Sequence, residues 1–240
     1  MKRFVPACLC LFFAFSGDVW AADPSLVDLV ESTGYSSAVK VLLVLTLFSF
    51  LPALVLTMTS FTRLVIVFSL LRHAMGTQQA PPNQVMVGLA LFLTFFVMRP
   101  VWVEVNDHAL APYLDGEIQE GEAFEKALTP FRSFMFQQTR KKDLGLFLQL
   151  SNTAAPKEEA DIPTSALVPA FITSELKTAF EISFLLYIPF LVIDMVVASV
   201  LMSMGMMLLP PIMISLPFKL MLFVLADGWN MVVKSLVESF

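Results

Sequence analysis

The stretch ISFLLYIPFLVIDMVVASVLMSMGMMLLPPIMISLPFKLMLFVLA, residues 182–226, decides the fold. Its first apolar run, Ile182–Leu209, contains Pro189 and Asp194, and its second, Ile212–Ala226, contains Pro217 and Lys219. Between them Gly205 loosens a helix end and Pro210-Pro211 cannot continue one, so the chain turns there. Two apolar runs joined by a turn predict a helical hairpin. The second run would be about 22 Å long as helix, short of a bilayer core of about 30 Å. A charge at the centre of hydrocarbon costs about 2.5 to 3.5 kcal/mol. Asp194 and Lys219 therefore favour helices held against other protein over simple lipid-facing spans.

Further toward the N-terminus the same grammar recurs. An apolar run from Ala38 to Leu71, interrupted by Lys40, Pro52 and Arg63, leads into the polar turn RHAMGTQQAPPNQ, and a second run follows from Val85 to Val103. The first of these would span about 50 Å, too long for one crossing. MGTQQAPP at 75–82 and MGMMLLPP at 204–211 share the frame Met-Gly, four residues, Pro-Pro. The chain thus reads as two related hairpins. One turn carries Thr-Gln-Gln-Ala and suits a polar surface; the other carries Met-Met-Leu-Leu and must hide from water.

Residues 104–165 change character. Charged residues are frequent, and Phe124, Leu128, Phe131 and Met135 recur at helical spacing, which predicts a water-facing helical insert. Its end, SNTAAPKEEADIPTSA, has loop composition, and Thr164 or Ser165 is placed to cap the next helix. The predicted organisation is all-α: a signal peptide over 1–21, a first hydrophobic hairpin region over 22–103, the polar insert over 104–165 and a second hairpin region over 166–240.

The signal peptide is read from MKR, the apolar run Phe4–Phe15 and GDVWA, with cleavage after Ala21. Cys8 and Cys10 both lie in it, so the mature chain would hold no cysteine, and disulfides, thiol catalysis and cysteine metal sites are excluded. Hydrophobic residues make up 57% of the chain and charged ones 15%, against about 45–50% apolar in an ordinary globular domain. That excess, with a net charge of −5, points to a membrane-associated protein and away from nucleic acid.

Five ionisable residues, Glu175, Lys177, Glu181, Asp194 and Lys219, stand in or beside the last apolar runs. Lys219 needs a neutralising carboxylate, with Glu175 the first choice and Asp194 or Glu181 behind it; Lys177 and Glu181 are also spaced as an i, i+4 pair. Arg63 has no acidic residue in its own run and needs a partner from elsewhere. The competing reading of the same residues is a proton or ion relay. Met195, Met202, Met206 and Met213 share a helix face suited to packing, whereas Met206, Met207 and Leu208 fall at the turn set by Gly205, Pro210 and Pro211. Unbranched thioethers adapt their shape, which suits a surface that must seal and then yield. No phosphate loop, HExxH or Gly-x-Ser-x-Gly occurs, and His73 and His108 are isolated. An enzyme, a metal site and a cofactor are not expected.

PAFITSELKTAFEISFLLYIPFLVIDMVVASVLMSMGMMLLPP at 169–211, LPFKLMLFVLADGW at 216–229 and SFTRLVIVFSLLRHAMGTQQAPPNQVMVGLALFLTFF from Ser60 closely resemble the FliP family of flagellar export proteins. The resemblance implies a subunit of the type III export gate in the bacterial inner membrane, within the flagellar basal body. Several copies would join FliQ and FliR homologues and other export-apparatus proteins around a passage for unfolded flagellar cargo, with N-terminus and insert on the periplasmic side. It also implies a methionine-rich loop closing the pore, which maps onto Met206, Met207 and Leu208. Leu208 departs from the run of three methionines. Injectisome export gates share these motifs, and a small-solute or ion transporter is the reading from another class.

Overall fold

A computed structural model describes residues 37–77, 80–151, 161–206 and 209–240. The predicted signal peptide, Met207 and Leu208 lie outside the described residues. Among the described residues the chain is helical and has no strand. The described residues fall into two units, divided between Leu51 and Pro52; helix α1 is Ser37–Met58. In the first unit the described helix carries exposed Leu42 and Leu45, and the Ser49 hydroxyl donates to the Leu45 carbonyl.

The run predicted to be too long for one crossing is broken. Residues 52–58 and helix α2 (Phe61–Ala74) meet at 82°. Hydroxyls at the break take over lost helix bonds: Thr59 donates to the Val55 carbonyl, Thr62 donates to the Leu56 carbonyl, and Thr59 accepts from the Phe61 amide at 3.3 Å. Helix α3 (Asn83–Val97) follows the Pro81-Pro82 turn and bends by 55° into the stretch Arg99–Leu114, which opens with α4 (Arg99–Val105). A widened turn at Asn106–Leu110 leads to the short α5 (Ala111–Leu114). The insert continues as α6 (Glu120–Gln138) and α7 (Lys141–Leu150).

Helix α8 (Thr164–Ser203) is 40 residues long and begins well before the apolar run read from sequence at Ile182. Glu175, Lys177 and Glu181 belong to this same helix, Glu175 on its buried side and Lys177 and Glu181 on its exposed side. Thr164 opens this helix, but no side chain caps it, and the Thr164 hydroxyl instead accepts from Arg132. Helix α9 (Pro211–Leu225) and α10 (Gly228–Val237) meet at 65°. Among the described residues only α8 is by itself long and apolar enough to cross a membrane, and up to four spans arise there if each bent pair is taken as one. The chain is thus all-α and membrane-associated.

Two clusters form the core. In the first, Leu64, Val67, Phe68 and Leu71 of α2 pack with Met86 and Ala90 of α3, Ala179 and Phe190 of α8, Phe223 of α9 and Leu236 of α10. The second gathers Met98, Val101, Phe134, Met135, Ile162, Leu167 and Phe171. Phe240 packs against both.

The Met-Gly frame is structural as well as sequential. Gly76 and Gly205 both adopt left-handed backbone, φ 77° and 74°, the conformation that ends a helix without a Cβ penalty. Offset by 129 residues, the end of α2 falls on the end of α8, and the start of α4 on the start of α10. The two halves differ in what covers them. The α2 face is buried under α8, whereas Val196 and Val200, at the positions matching Val67 and Leu71, are 58% and 51% exposed and border an open apolar groove with Ile214 and Phe218.

Candidate functional site: the methionine turn and its charged braces

Helix α8 ends in a closed hydrogen-bonded cap. The Gly205 amide donates to the Met202 carbonyl at 3.0 Å and the Met206 amide to the Leu201 carbonyl at 3.0 Å, the pair of bonds that defines a Schellman end. Met206, half-buried, is the first residue past that cap. Pro210 is extended, φ −66° and ψ 117°, and Pro211 starts α9, where a proline loses no helix bond. The turn is therefore fixed on both sides by backbone chemistry. The side chains flanking it are apolar and outward: Met202, Met204, Leu209, Ile212 and Met213 are all exposed. Met195 and Met202, which share the packing face expected from their spacing, are exposed rather than in the core of this chain.

Lys219 does not pair with Glu175. Its ammonium lies 2.6 Å from Asp194 and 3.1 Å from the carbonyl of Ala74, and the Ser215 hydroxyl donates to the other Asp194 oxygen at 2.5 Å. The reason is helix length. Glu175 and Asp194 sit on the same helix and 19 residues separate them, about 28 Å along its axis, so a lysine opposite one cannot reach the other. Hairpin arithmetic would have found the right partner, because Asp194 lies nine residues before the end of α8 and Lys219 eight after the start of α9.

Glu175 is instead the partner of Arg63. The Arg63 Nε donates to Glu175 at 2.8 Å and one Nη makes a second, charge-assisted bond to the other oxygen. The remaining donors reach the Ser239 carbonyl at 2.9 Å, the Ser239 hydroxyl at 3.1 Å and the Gln138 side chain at 2.9 Å. All five N–H groups of the guanidinium are thus used. Its face lies 3.8 Å from the centre of the Phe240 ring. Glu181 pairs with Arg140 at 2.6 Å and more distantly with Lys177 at 3.9 Å, on a largely exposed surface.

The structure brings Lys219 to Asp194 beneath the turn and leaves Glu175 and Glu181 in separate pairs farther along α8. Sequence reading missed Ser215, Arg140, Gln138 and the Ser239-Phe240 segment. For Arg63 the available signal was its isolation: an arginine in an apolar run demands a carboxylate. Among the described residues no group of His, Asp or Glu side chains is arranged to hold a metal.

The sequence profile of the FliP family matches residues 44–236, which include both Met-Gly turns, the insert, and Arg63, Arg140, Glu175, Glu181, Asp194 and Lys219. The flagellar biosynthetic protein FliP of Bacillus subtilis (strain 168) is 58% identical over 205 residues, covering 85% of this chain and 93% of that protein. That of Pectobacterium carotovorum subsp. carotovorum is 52% identical over 242 residues, 100% of this chain and 93% of its own. That of Aquifex aeolicus (strain VF5) is 48% identical over 234 residues, 97% and 98% of the two chains. These relatives are named as flagellar biosynthetic proteins and not as enzymes. With a profile covering most of its length and relatives matched nearly end to end, the chain belongs to the FliP family.

Proposed function

We propose that this chain is a gate subunit of the flagellar type III export apparatus. In this reading several copies assemble with FliQ and FliR homologues in the bacterial inner membrane around a passage for unfolded flagellar proteins. The mature N-terminus and the insert, residues 104–165, face the periplasm after loss of residues 1–21, and the two hairpin regions, 22–103 and 166–240, form the wall. Met206, Met207 and Leu208 of the copies converge to seal the passage.

The observation that carries the seal is the contrast between two turns of one design. Both leave their helix through a left-handed glycine, yet one places Thr77 at its start and the other Met206. A hydrophobic constriction can close by dewetting, and flexible thioethers can follow the contour of a passing chain without binding it tightly. Family membership supports the export role; the chemistry of the turn supports its place in closure.

Two measurements test this. Tagged protein purified from native membranes in mild detergent should bring down FliQ and FliR homologues, and a homomer that transports a solute unaided would overturn the gate assignment. In planar bilayers, complexes carrying Met206→Ala with Met207→Ala should assemble and leak small ions, while the double Leu variant stays tight. A double Ala complex as tight as the parent would make these methionines packing residues.

A further inference from the structure

We infer that α2 is a rigid strut that couples the insert to the α8–α9 hairpin. It is fastened at one end by Arg63 and at the other by Lys219. The functional meaning of this coupling rests on the gate reading above, but the coupling itself does not.

Arg63, in the first turn of α2, binds Glu175 of α8, Gln138 at the last position of α6, and Ser239. Gln138 in turn donates to the Phe240 carbonyl at 2.9 Å. One buried guanidinium therefore joins α2 to the insert, to α8 and to the segment that follows α10. At the opposite end, the Ala74 carbonyl is among the last acceptors of α2, which have no partner within their own helix. Lys219 of α9 supplies one at 3.1 Å while paired with Asp194 of α8. An ammonium at a helix C-terminus is also favoured by the helix dipole. Both cations are almost wholly buried, at 2% exposure each.

The rod between these ends is unbroken. Among the described helices of ten residues or more, α2 alone contains neither proline nor glycine; α8 has Pro169 and Pro189, α9 has Pro217, α3 has Gly88 and α6 has Pro130. Kinks arise at such residues. Leu64, Val67, Phe68, Leu71 and Ala74 are at most 1% exposed, so α2 cannot tilt without repacking the core. From Arg63 to Ala74 the rise is about 16 Å. A displacement of the insert at Gln138 is thus delivered to Lys219 and to the α8–α9 hairpin that it pins.

Hydrogen exchange on the full-length protein in its detergent-purified complex tests the strut, because it reads each end separately. Gln138→Ala with Phe240→Ala loosens the insert end while leaving the Arg63–Glu175 pair intact. We expect at least tenfold faster exchange at amides of the first two turns of α9. Lys219→Met should reciprocally speed exchange in the last turn of α6 by at least tenfold. Leu236→Ala, which weakens the core without touching either cation, sets the pattern of general loosening. If each variant's effect stops at its own end, or if all three share the Leu236→Ala pattern, the strut is refuted. Should Lys219→Met fail to assemble, the Gln138 and Phe240 variant decides alone. Cross-end exchange in a complex whose methionine variants stay tight would keep the strut and discard the gate.

Discussion

Removing one member of the Lys219–Asp194 pair should cost different amounts depending on which member goes. Lys219 is 2% exposed and Asp194 33% exposed, so the two are not equally buried. Deleting one partner of a fully buried pair costs about 3 to 5 kcal/mol, mostly from the charge left behind. Asp194→Ala leaves the buried ammonium with a single carbonyl, that of Ala74, and should fall in that range. Lys219→Met leaves a carboxylate that reaches water and keeps the Ser215 hydroxyl. Its cost should be smaller, about 2 to 3 kcal/mol, including about 1 kcal/mol for the bond lost by the Ala74 carbonyl. The double variant removes both charges and should be more stable than Asp194→Ala alone, the signature of a direct pair in a double-mutant cycle.

The assay is equilibrium unfolding in detergent, with yield of assembled complex as a second reading. Lys126→Met, which breaks an exposed i, i+4 pair with Glu122, is the surface comparison and should cost under about 1 kcal/mol. The reasoning is refuted if Asp194→Ala is no worse than Lys219→Met and the double variant is no better than either. That result would mean the ammonium finds another carboxylate or sheds its proton at little cost.

Three further outcomes are expected. Arg63→Lys keeps the charge but replaces a planar fork of five donors by three, so thermal unfolding in detergent should show a loss of about 2 to 4 kcal/mol, with Glu175→Gln similarly damaging; a neutral Arg63→Lys would show that the fork geometry is unimportant. Gly228→Ala drives a Cβ into the Phe223 ring and should cost about 1 to 3 kcal/mol in the same melt, while Gly205→Ala strains a left-handed position by about 1 to 2 kcal/mol with open space around it. N-terminal sequencing of assembled protein should begin at Ala22; residues 1–21 still attached would remove the cleaved leader and the cysteine-free mature chain together.

What the sequence disclosed and what it concealed follow from the range of the interactions concerned. Helix ends were legible because they are set locally: Gly76 and Gly205 need a conformation that other residues resist, and the paired prolines that follow permit no continuation. The break at Thr59-Ser60 was foreshadowed by length alone, since an unbroken helix from Ala38 to Leu71 would exceed any bilayer. The start of α8 was legible at Thr164-Ser165, where loop composition ends, but its unbroken continuation into the apolar run at Ile182 was not, because Glu175 and Lys177 lower the local hydropathy without lowering helix propensity. Charge partners were hidden for a related reason. Desolvation says that Arg63 and Lys219 must be neutralised, but which carboxylate does it depends on which helices lie side by side. Arg63 finds Glu175 112 residues away, a separation no pattern encodes. Lys219 finds Asp194 across a single hairpin, where equal distance from the turn makes the pairing a matter of counting. The pair that counting could reach lies under the methionine turn, and the pair it could not reach ties α2 to the insert; the local part of the site is written in the chain order, and its bracing is written in the packing.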